Sequence, residues 1–426
     1  MRESPTVVPR VESLAIDGGR PAITDRLPNI RDASGRLFGA EEEQMVLEVI
    51  RSGTLAYIYG DKVRRFEREF ARLHGMDQAV AVSSGTAALH TALIYLNPEP
   101  GDEVIVSAIT DMGAVIPILY QLAVPVFADV DPATQNMDVR SVEALISPRT
   151  RAILLTHVFG GPADMDPLLA LARRHNLLVI EDCAQAHLAR YRGRLVGTLG
   201  HLGCYSFQQS KHITTGDGGM VIANEDERFG RRLRECFDKG WPRHKPGRDH
   251  LFLAPNYHMT ELQAAVGLAQ LGKYERCIAG RRRAAAQLDA LLADEPSVRP
   301  VGALPGCEHT YFYYCFRLRT EALRVEPARF VAALNAEGLA CEQGYPGPVP
   351  LYRYPLISQK KTFGRSGWPF DAPTARRRWD YPEGTCPVAE QLCRETVILP
   401  WNERLQSDHV ASIAAAIRKV AHACRA

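Results

Sequence analysis

No stretch of this chain is apolar enough for long enough to cross a bilayer, and the N-terminus has no leader of charged, apolar and then small residues, so a cytoplasmic protein is expected. An excess of one charge is missing too. A formal net charge of +2 gives no electrostatic reason to expect nucleic acid or an anionic membrane as partner. The ten cysteines never form a Cys-x-x-Cys pair, and Cys183 and Cys204 lie in apolar, strand-like surroundings. Reduced core thiols are expected, and neither a disulfide framework nor a metal site. A His-Glu-x-x-His helix signature is absent, as are tandem repeats and low-complexity tracts. The basic run Arg281-Arg282-Arg283 falls in a helical pattern and reads as a solvated face.

What is present is an ordinary globular composition, 46% apolar and 23% charged over 426 residues, which is too long for one core. The expected organisation is an irregular arm over residues 1–38, a large domain over 39–280 and a small α+β domain over 281–426. In the arm, Leu14 to Gly19 reads as a strand fragment and turn. A helix from Ala40 with Met45, Val46, Val49 and Ile50 on one face stops at Gly53, and a second runs through Val63, Phe66, Phe70 and Leu73 to Gly75. Apolar strands then alternate with helical segments: Ala79–Val82, Val104–Ser107, Val124–Ala128, Ala152–His157 and Leu177–Ile180. That alternation predicts an α/β fold with a mainly parallel, doubly wound sheet, whose ligands gather at the carboxyl ends of its strands. A single long helix is expected from the cap Thr260 past Leu271 into the Arg281 cluster. A segment rich in glycine and proline, Gly344 to Pro369, should cover the cleft.

Four features converge on the strand ends. Ser83-Ser84-Gly85-Thr86 opens a helix directly after a strand, where unpaired N–H groups and the positive end of the dipole favour an anion; read alone, it is equally a capped helix without a ligand. Asp182 and Gln185 follow another strand and point toward the same crevice. Lys211 lies between two strand-like runs, Gly203–Phe207 and Gly219–Ala223, so it is either solvated on its loop or desolvated and used as an amine. His157 and His187 read as satisfied core histidines. Neither a dinucleotide fingerprint nor a phosphate-cradling Walker sequence fits, since Gly216-x-Gly218-Gly219 leads into a strand. An anion cradle, a carboxylate, an amide and an amine in one crevice suit pyridoxal phosphate.

At this point the sequence resembles the DegT/DnrJ/EryC1/StrS family of sugar and cyclitol aminotransferases. The resemblance is carried by Ser84-Gly85-Thr86-Ala87, Gly101-Asp102-Glu103-Val104, Gly161 to Asp166, Glu181-Asp182-Cys183-Ala184-Gln185, Ser206-Phe207, Lys211, Gly216-Asp217-Gly218-Gly219 and Asn256-Tyr257-x-Met259, all in the family's order. It implies the fold-type I architecture, with Lys211 bonded to the cofactor aldehyde and acting as acid–base, and Asp182 on the pyridinium nitrogen. Gln185 would lie near the phenolic oxygen. Ser84, Gly85, Thr86 and Ser206 would hold the phosphate, and Asn256 would reach the phosphate of a neighbouring subunit in a homodimer with shared active sites. The implied donor is glutamine or glutamate and the implied acceptor a keto-cyclitol or keto-sugar.

Gly18-Gly19, Gln208-Gln209 and His187 look more like the aminocyclitol branch, of the glutamine:scyllo-inosose type found in aminoglycoside-type antibiotic biosynthesis. The alternatives are a nucleotide-diphosphate keto-sugar aminotransferase, with the Arg243, His244, Lys245 and Arg248 loop as a candidate diphosphate site, a pyridoxal phosphate-dependent sugar dehydratase, and a non-catalytic cofactor-binding regulator. Dehydratases of the family carry histidine where this chain has Lys211, which favours transamination. After Thr110, where many relatives place an aromatic ring or histidine, this chain has Asp111-Met112-Gly113.

Overall fold

Seven strands, each a short run of apolar residues, form the central sheet of the computed structural model, which describes residues 13–224 and 233–426. The first twelve residues of the expected arm lie outside the described residues. The strands are β1 (Gln78–Val82), β2 (Glu103–Ser107), β3 (Val124–Ala128), β4 (Thr150–Thr156), β5 (Leu178–Asp182), β8 (Leu202–Ser206) and β9 (Gly219–Ala223). The short pair β6 (Arg190–Tyr191) and β7 (Arg194–Leu195) belongs to a separate three-stranded sheet with β11 (Cys307–Glu308). The order across the large sheet is β1-β9-β8-β5-β4-β2-β3. Pairings from β8 to β3 are parallel, and β9 alone runs against its two neighbours. Parallel neighbours need a crossover, here supplied by helices, whereas an antiparallel pair needs only a loop. The loop between β8 and β9 carries Lys211, which therefore stands at the carboxyl end of β8 with the other parallel strand ends.

The helices on the two faces follow from the same patterning. Helix α1 spans Ala40–Ser52, α2 Lys62–His74, α3 Gly85–Leu96, α4 Met112–Tyr120, α5 Val139–Leu145 and α6 Met165–Arg174. Gly53 and Gly75 end the first two in the left-handed conformation, with φ of 68° and 65°. On α1, Val49 is buried as its spacing predicts, but Ile50 is 54% exposed and Leu47 is 47% exposed.

A second, antiparallel sheet has the order β10-β12-β14-β13, from Val298–Pro300, Tyr313–Leu318, Thr396–Pro400 and Glu342–Gln343. A helix over Tyr274–Leu292 joins the two cores: Tyr274, Cys277 and Ile278 pack in the cluster around the large sheet, and Ala284, Ala285, Leu288 and Leu292 in the cluster around the small one.

Three expectations need correction. Leu14 to Gly19 is no strand but a 3-10 turn over Ala15–Asp17, closed by Gly19 N donating to Leu14 O at 2.9 Å and fixed by Ala15 N donating to Glu337 at 2.8 Å. The long helix from Thr260 is two, Glu261–Leu271 and Tyr274–Leu292. The break falls at Gly272-Lys273, where Lys273 Nζ is drawn to the Glu42 carboxylate at 2.7 Å and glycine gives the helix little reason to continue. Arg281 is not on a solvated face. It is fully buried, bonded to Glu403 and to the carbonyls of Trp401, Tyr311 and Phe312.

Candidate functional site

β1 delivers the chain through Ser83 to Ser84, whose extended backbone and hydroxyl cap α3, Oγ accepting from Ala87 N at 3.0 Å. Gly85 then lies directly against the end of β8. A β-carbon on Gly85 would stand 2.6 Å from Ser206 Cβ and 3.0 Å from Ser206 Oγ, and one on Gly219 would stand 2.2 Å from Ser84 O. Only glycine lets these backbones meet. The first turn of α4 approaches the same place, since a β-carbon on Gly113 would lie 2.8 Å from Thr86 Oγ1. Two helix N-termini and the Thr86 and Ser206 hydroxyls thus border one small space. Its chemistry suits a phosphate.

Asp182 ends β5 and is buried. Its Oδ1 accepts from Ala184 N at 3.0 Å and its Oδ2 from Thr156 Oγ1 at 3.2 Å. Having spent its one proton there, Thr156 accepts from Thr110 Oγ1 at 2.7 Å. Burial pushes the Asp182 pKa upward, with the Ala184 N–H and the Lys211 charge pulling the other way. Such a carboxylate stays ionised best opposite a cation, and a protonated pyridine nitrogen is one.

Lys211 hangs from a loop whose first turn is closed by its own N–H donating to Gln208 O at 2.9 Å. Its Nζ lies 4.0 Å from the centre of the Phe312 ring. Burial lowers its pKa to about 8, against the opposing pull of Asp111 and then Asp182. The free base is therefore well populated at mildly alkaline pH. Raising pH through 8 deprotonates this amine, so the rate at which the cofactor-free protein captures pyridoxal phosphate should rise with pH and reach half its maximum near pH 8; a half-maximum at the ordinary lysine value, near 10.4, would mean a solvated amine.

Gln185 is oriented at both ends. Its Oε1 accepts from Phe159 N at 2.8 Å and its Nε2 donates to the Tyr345 hydroxyl at 2.7 Å. The Tyr345 ring stands 5.6 Å from Phe159 and 5.9 Å from Tyr313, so a small aromatic wall borders the cleft. This tyrosine sits in the segment expected to cover the cleft.

Of the residues singled out from sequence, Ser84, Gly85, Thr86, Asp182, Gln185, Ser206 and Lys211 are brought to one end of the sheet. Asn256 is not among them: it is exposed, its Oδ1 accepting from His258 N at 3.2 Å on its own turn. Sequence reasoning missed Thr110 and Thr156, which the strand-end rule could have found, and Phe312, Tyr313 and Tyr345, for which no local signal exists. His187 donates through Nε2 to Ser206 O at 2.9 Å and accepts at Nδ1 from the Tyr274 hydroxyl at 2.8 Å, so it is a core histidine. His157 is another. Its Nδ1 accepts from Ala163 N at 3.0 Å and its Nε2 donates to Glu181 at 2.9 Å, leaving no ring nitrogen for a metal although Glu181 and Cys183 are adjacent. Among the described residues no helix is long and apolar enough to cross a membrane.

Comparison with known proteins gives this geometry its context. The sequence matches the DegT/DnrJ/EryC1/StrS aminotransferase family over residues 37–418. It is 40% identical to the GDP-perosamine synthase of Caulobacter vibrioides over 317 residues, 74% of this chain and 83% of that one. It is 38% identical to the L-glutamine:2-deoxy-scyllo-inosose aminotransferase of Streptomyces fradiae over 374 residues, 84% of this chain and 85% of that one. Its fold matches the aminotransferase from Psychrobacter cryohalolentis with a TM-score of 0.81 at 32% identity, covering 92% of this chain and 98% of the other. The chain belongs to the DegT/DnrJ/EryC1/StrS aminotransferases, a family of sugar and cyclitol aminotransferases whose cofactor is pyridoxal phosphate.

Proposed function

We propose that this enzyme transfers an amino group from L-glutamine or L-glutamate to a keto-cyclitol, as in aminoglycoside-type antibiotic biosynthesis. The observation that carries the choice of acceptor is the charge of the cleft. Asp111, exposed at the cap of α4, is the leading charge acting on Lys211. A carboxylate there suits the hydroxyls of a neutral polyol and opposes a diphosphate. Within the candidate diphosphate loop, Arg243 is already held by the Asp238 carboxylate, with one contact at 3.0 Å, and lies 4.0 Å from the Trp241 ring centre. A nucleotide-diphosphate keto-sugar is the second reading, favoured by the 40% identity to the GDP-perosamine synthase.

Bound pyridoxal phosphate supplies an aldehyde that accepts the donor's amine and a ring that withdraws electrons from its α-carbon. The protein's residues supply the rest. Lys211 Nζ would hold the cofactor's aldehyde carbon and, once free, would serve as the base that takes the proton from the donor's α-carbon and as the acid that gives it back; its lowered pKa suits both directions. Asp182 keeps the pyridine nitrogen protonated, and Thr156, steadied by Thr110, keeps Asp182 in line. Gly85, Thr86 and Ser206 hold the phosphate. Ser84, whose Oγ accepts from Ala87 N and so caps the helix, keeps its own O–H proton to donate to that phosphate. Gln185 presents its amide to the ring's phenolic side.

A homodimer with shared sites is part of the proposal. Leu47, Ile50, Leu55, Tyr59 and Leu253 are large apolar side chains left exposed, 96% in the case of Leu253, and are available for a partner subunit to cover. In a partner's cleft Asn256, free of its own site, would find the phosphate. A holoprotein sedimenting at the mass of one chain would remove this part.

The deciding experiment is an absorbance titration of the cofactor-loaded protein with L-glutamine, followed by scyllo-inosose. Loss of the visible band with glutamine and its return with the cyclitol ketone is the expected result. Return only with a nucleotide keto-sugar would transfer the conclusion to the second reading. Product formation without donor consumption would indicate dehydration.

A further inference from the structure

Against the main chain of Lys211, three charged side chains from distant parts of the chain meet in the buried interior. Arg36 follows a 3-10 turn over Ala33–Gly35 in the arm, Arg281 stands midway along the Tyr274–Leu292 helix, and Glu403 follows the last strand of the small sheet. All three are almost wholly buried. Glu403 Oε2 accepts from Arg281 Nε at 3.1 Å, and Glu403 Oε1 faces Arg36 Nη1 at 3.9 Å. Two guanidinium groups thus share one carboxylate: Arg281 Nη2 also lies 3.1 Å from Glu403 Oε2, while Nε and Nη2 of Arg36 have no hydrogen-bond partner. An apolar trio would fill the same volume at lower cost, because two buried cations on one carboxylate leave a positive charge uncompensated. A fold keeps such an arrangement where function needs it.

The remaining bonds of the cluster point to that function. Arg36 Nη1 donates to the main-chain carbonyl of Lys211 at 2.8 Å. Arg281 Nη1 donates to Tyr311 O at 3.1 Å and contacts Phe312 O at 3.4 Å. Phe312 is the residue whose ring lies 4.0 Å from Lys211 Nζ. One arginine therefore fixes the backbone from which the amine hangs, the other the backbone that carries the ring against it, and Glu403 ties the two. Closest packing supports the link: a β-carbon on Gly280 would stand 2.8 Å from Glu403 O, so helix and segment are in backbone contact.

We propose that Arg36, Glu403 and Arg281 form a positioning cluster that sets the place of the Lys211 amine, coupling the arm and the C-terminal segment to the reacting end of the lysine. The cluster touches neither substrate nor cofactor. It acts through Lys211 and Phe312, and it rests on the role given to Lys211 above.

The test uses the holoenzyme with Arg36→Met and Arg36→Lys, and Leu288→Ala in the second core as a stability control. With Arg36→Met, turnover should fall about tenfold or more while KM for the donor is unchanged, since a small misplacement of a reacting group is felt in kcat. The visible circular dichroism of the bound cofactor, which reports how it is held, should weaken in parallel. Arg36→Lys, still able to donate to the Lys211 carbonyl, should recover most of both. Leu288→Ala should lower the melting temperature and leave both readouts at the parent's values. A Met variant that melts early but keeps the parent's circular dichroism and kcat would overturn the proposal, as would a Lys variant no better than Met. If Arg36→Met does not accumulate, Glu403→Gln carries the same expectations. A parent protein with no visible band would instead remove the role of Lys211, a failure distinguishable from loss in the variants alone.

Discussion

Replacing Lys211 by alanine is expected to abolish the visible band that survives gel filtration and to lower turnover by roughly 10³-fold or more, because covalent anchor and acid–base are lost together. The size of the effect follows from the structure. Asp182 also acts on Lys211, but a carboxylate can neither bond an aldehyde as an amine does nor replace a base aimed at the α-carbon. Binding of pyridoxal phosphate itself should persist in weakened form, since the cradle formed by Gly85, Thr86 and Ser206 is untouched. Added methylamine should restore part of the turnover if the loss is chemical. A variant retaining the band after gel filtration would place the anchoring amine elsewhere.

Asp182→Asn is expected to separate stability from activity. Its shape is kept, so Lys211 should still bond the cofactor and the band should form, but the amide cannot hold a proton on the pyridine nitrogen. Turnover should fall by roughly 10² to 10⁴, the range for removing a group that stabilises charge in the transition state. The sign of the stability effect is opposite. Burial raises the folded-state pKa of Asp182 above its unfolded value, so at neutral pH the ionised carboxylate costs the cofactor-free fold stability, a cost present above the folded pKa and absent below the unfolded one. The cofactor-free Asn variant should therefore melt at or above the parent temperature, and addition of pyridoxal phosphate should stabilise it less than the parent. Calorimetry with and without cofactor reads both. Full turnover in Asp182→Asn would show that the pyridine nitrogen is held by another group.

Much of the site was legible because its parts lie where a local pattern changes. Gly85 opens a helix straight from a strand, Asp182 is the second of two carboxylates that follow an apolar run, and Lys211 stands in a hydroxyl- and glycine-rich interval between two such runs. These are signals of a few residues. What escaped depends on partners far along the chain. Arg281 reads as part of a solvated basic run because helical periodicity reports a face, not what packs on it, and Glu403 arrives 122 positions later. The amide of Gln185 is oriented by Tyr345, 160 positions away. The continuous helix expected from Thr260 fails for a similar reason: the pull of Glu42 on Lys273 is invisible in the pattern around Gly272. Composition describes an element's interior well. Its end is often decided by a neighbour from another part of the chain.

The reversed strand β9 has a consequence for how the protein is assembled. β8 and β9 are joined by one loop, so the Lys211 turn closes over a short length of chain. β1 pairs with β9 across most of the large sheet's sequence, residues 78–82 against 219–223, and that pairing helps bring Ser84 and Gly85 to Ser206. Local closures are entropically cheap and long ones are not, so the lysine loop can form early while the phosphate cradle waits for the most non-local contact in the sheet. A ligand that needs both halves binds only the finished sheet and draws the folding equilibrium toward it. Pyridoxal phosphate is then a clasp on the topology as well as a reagent, and amide hydrogen exchange in β1 should slow most when it binds.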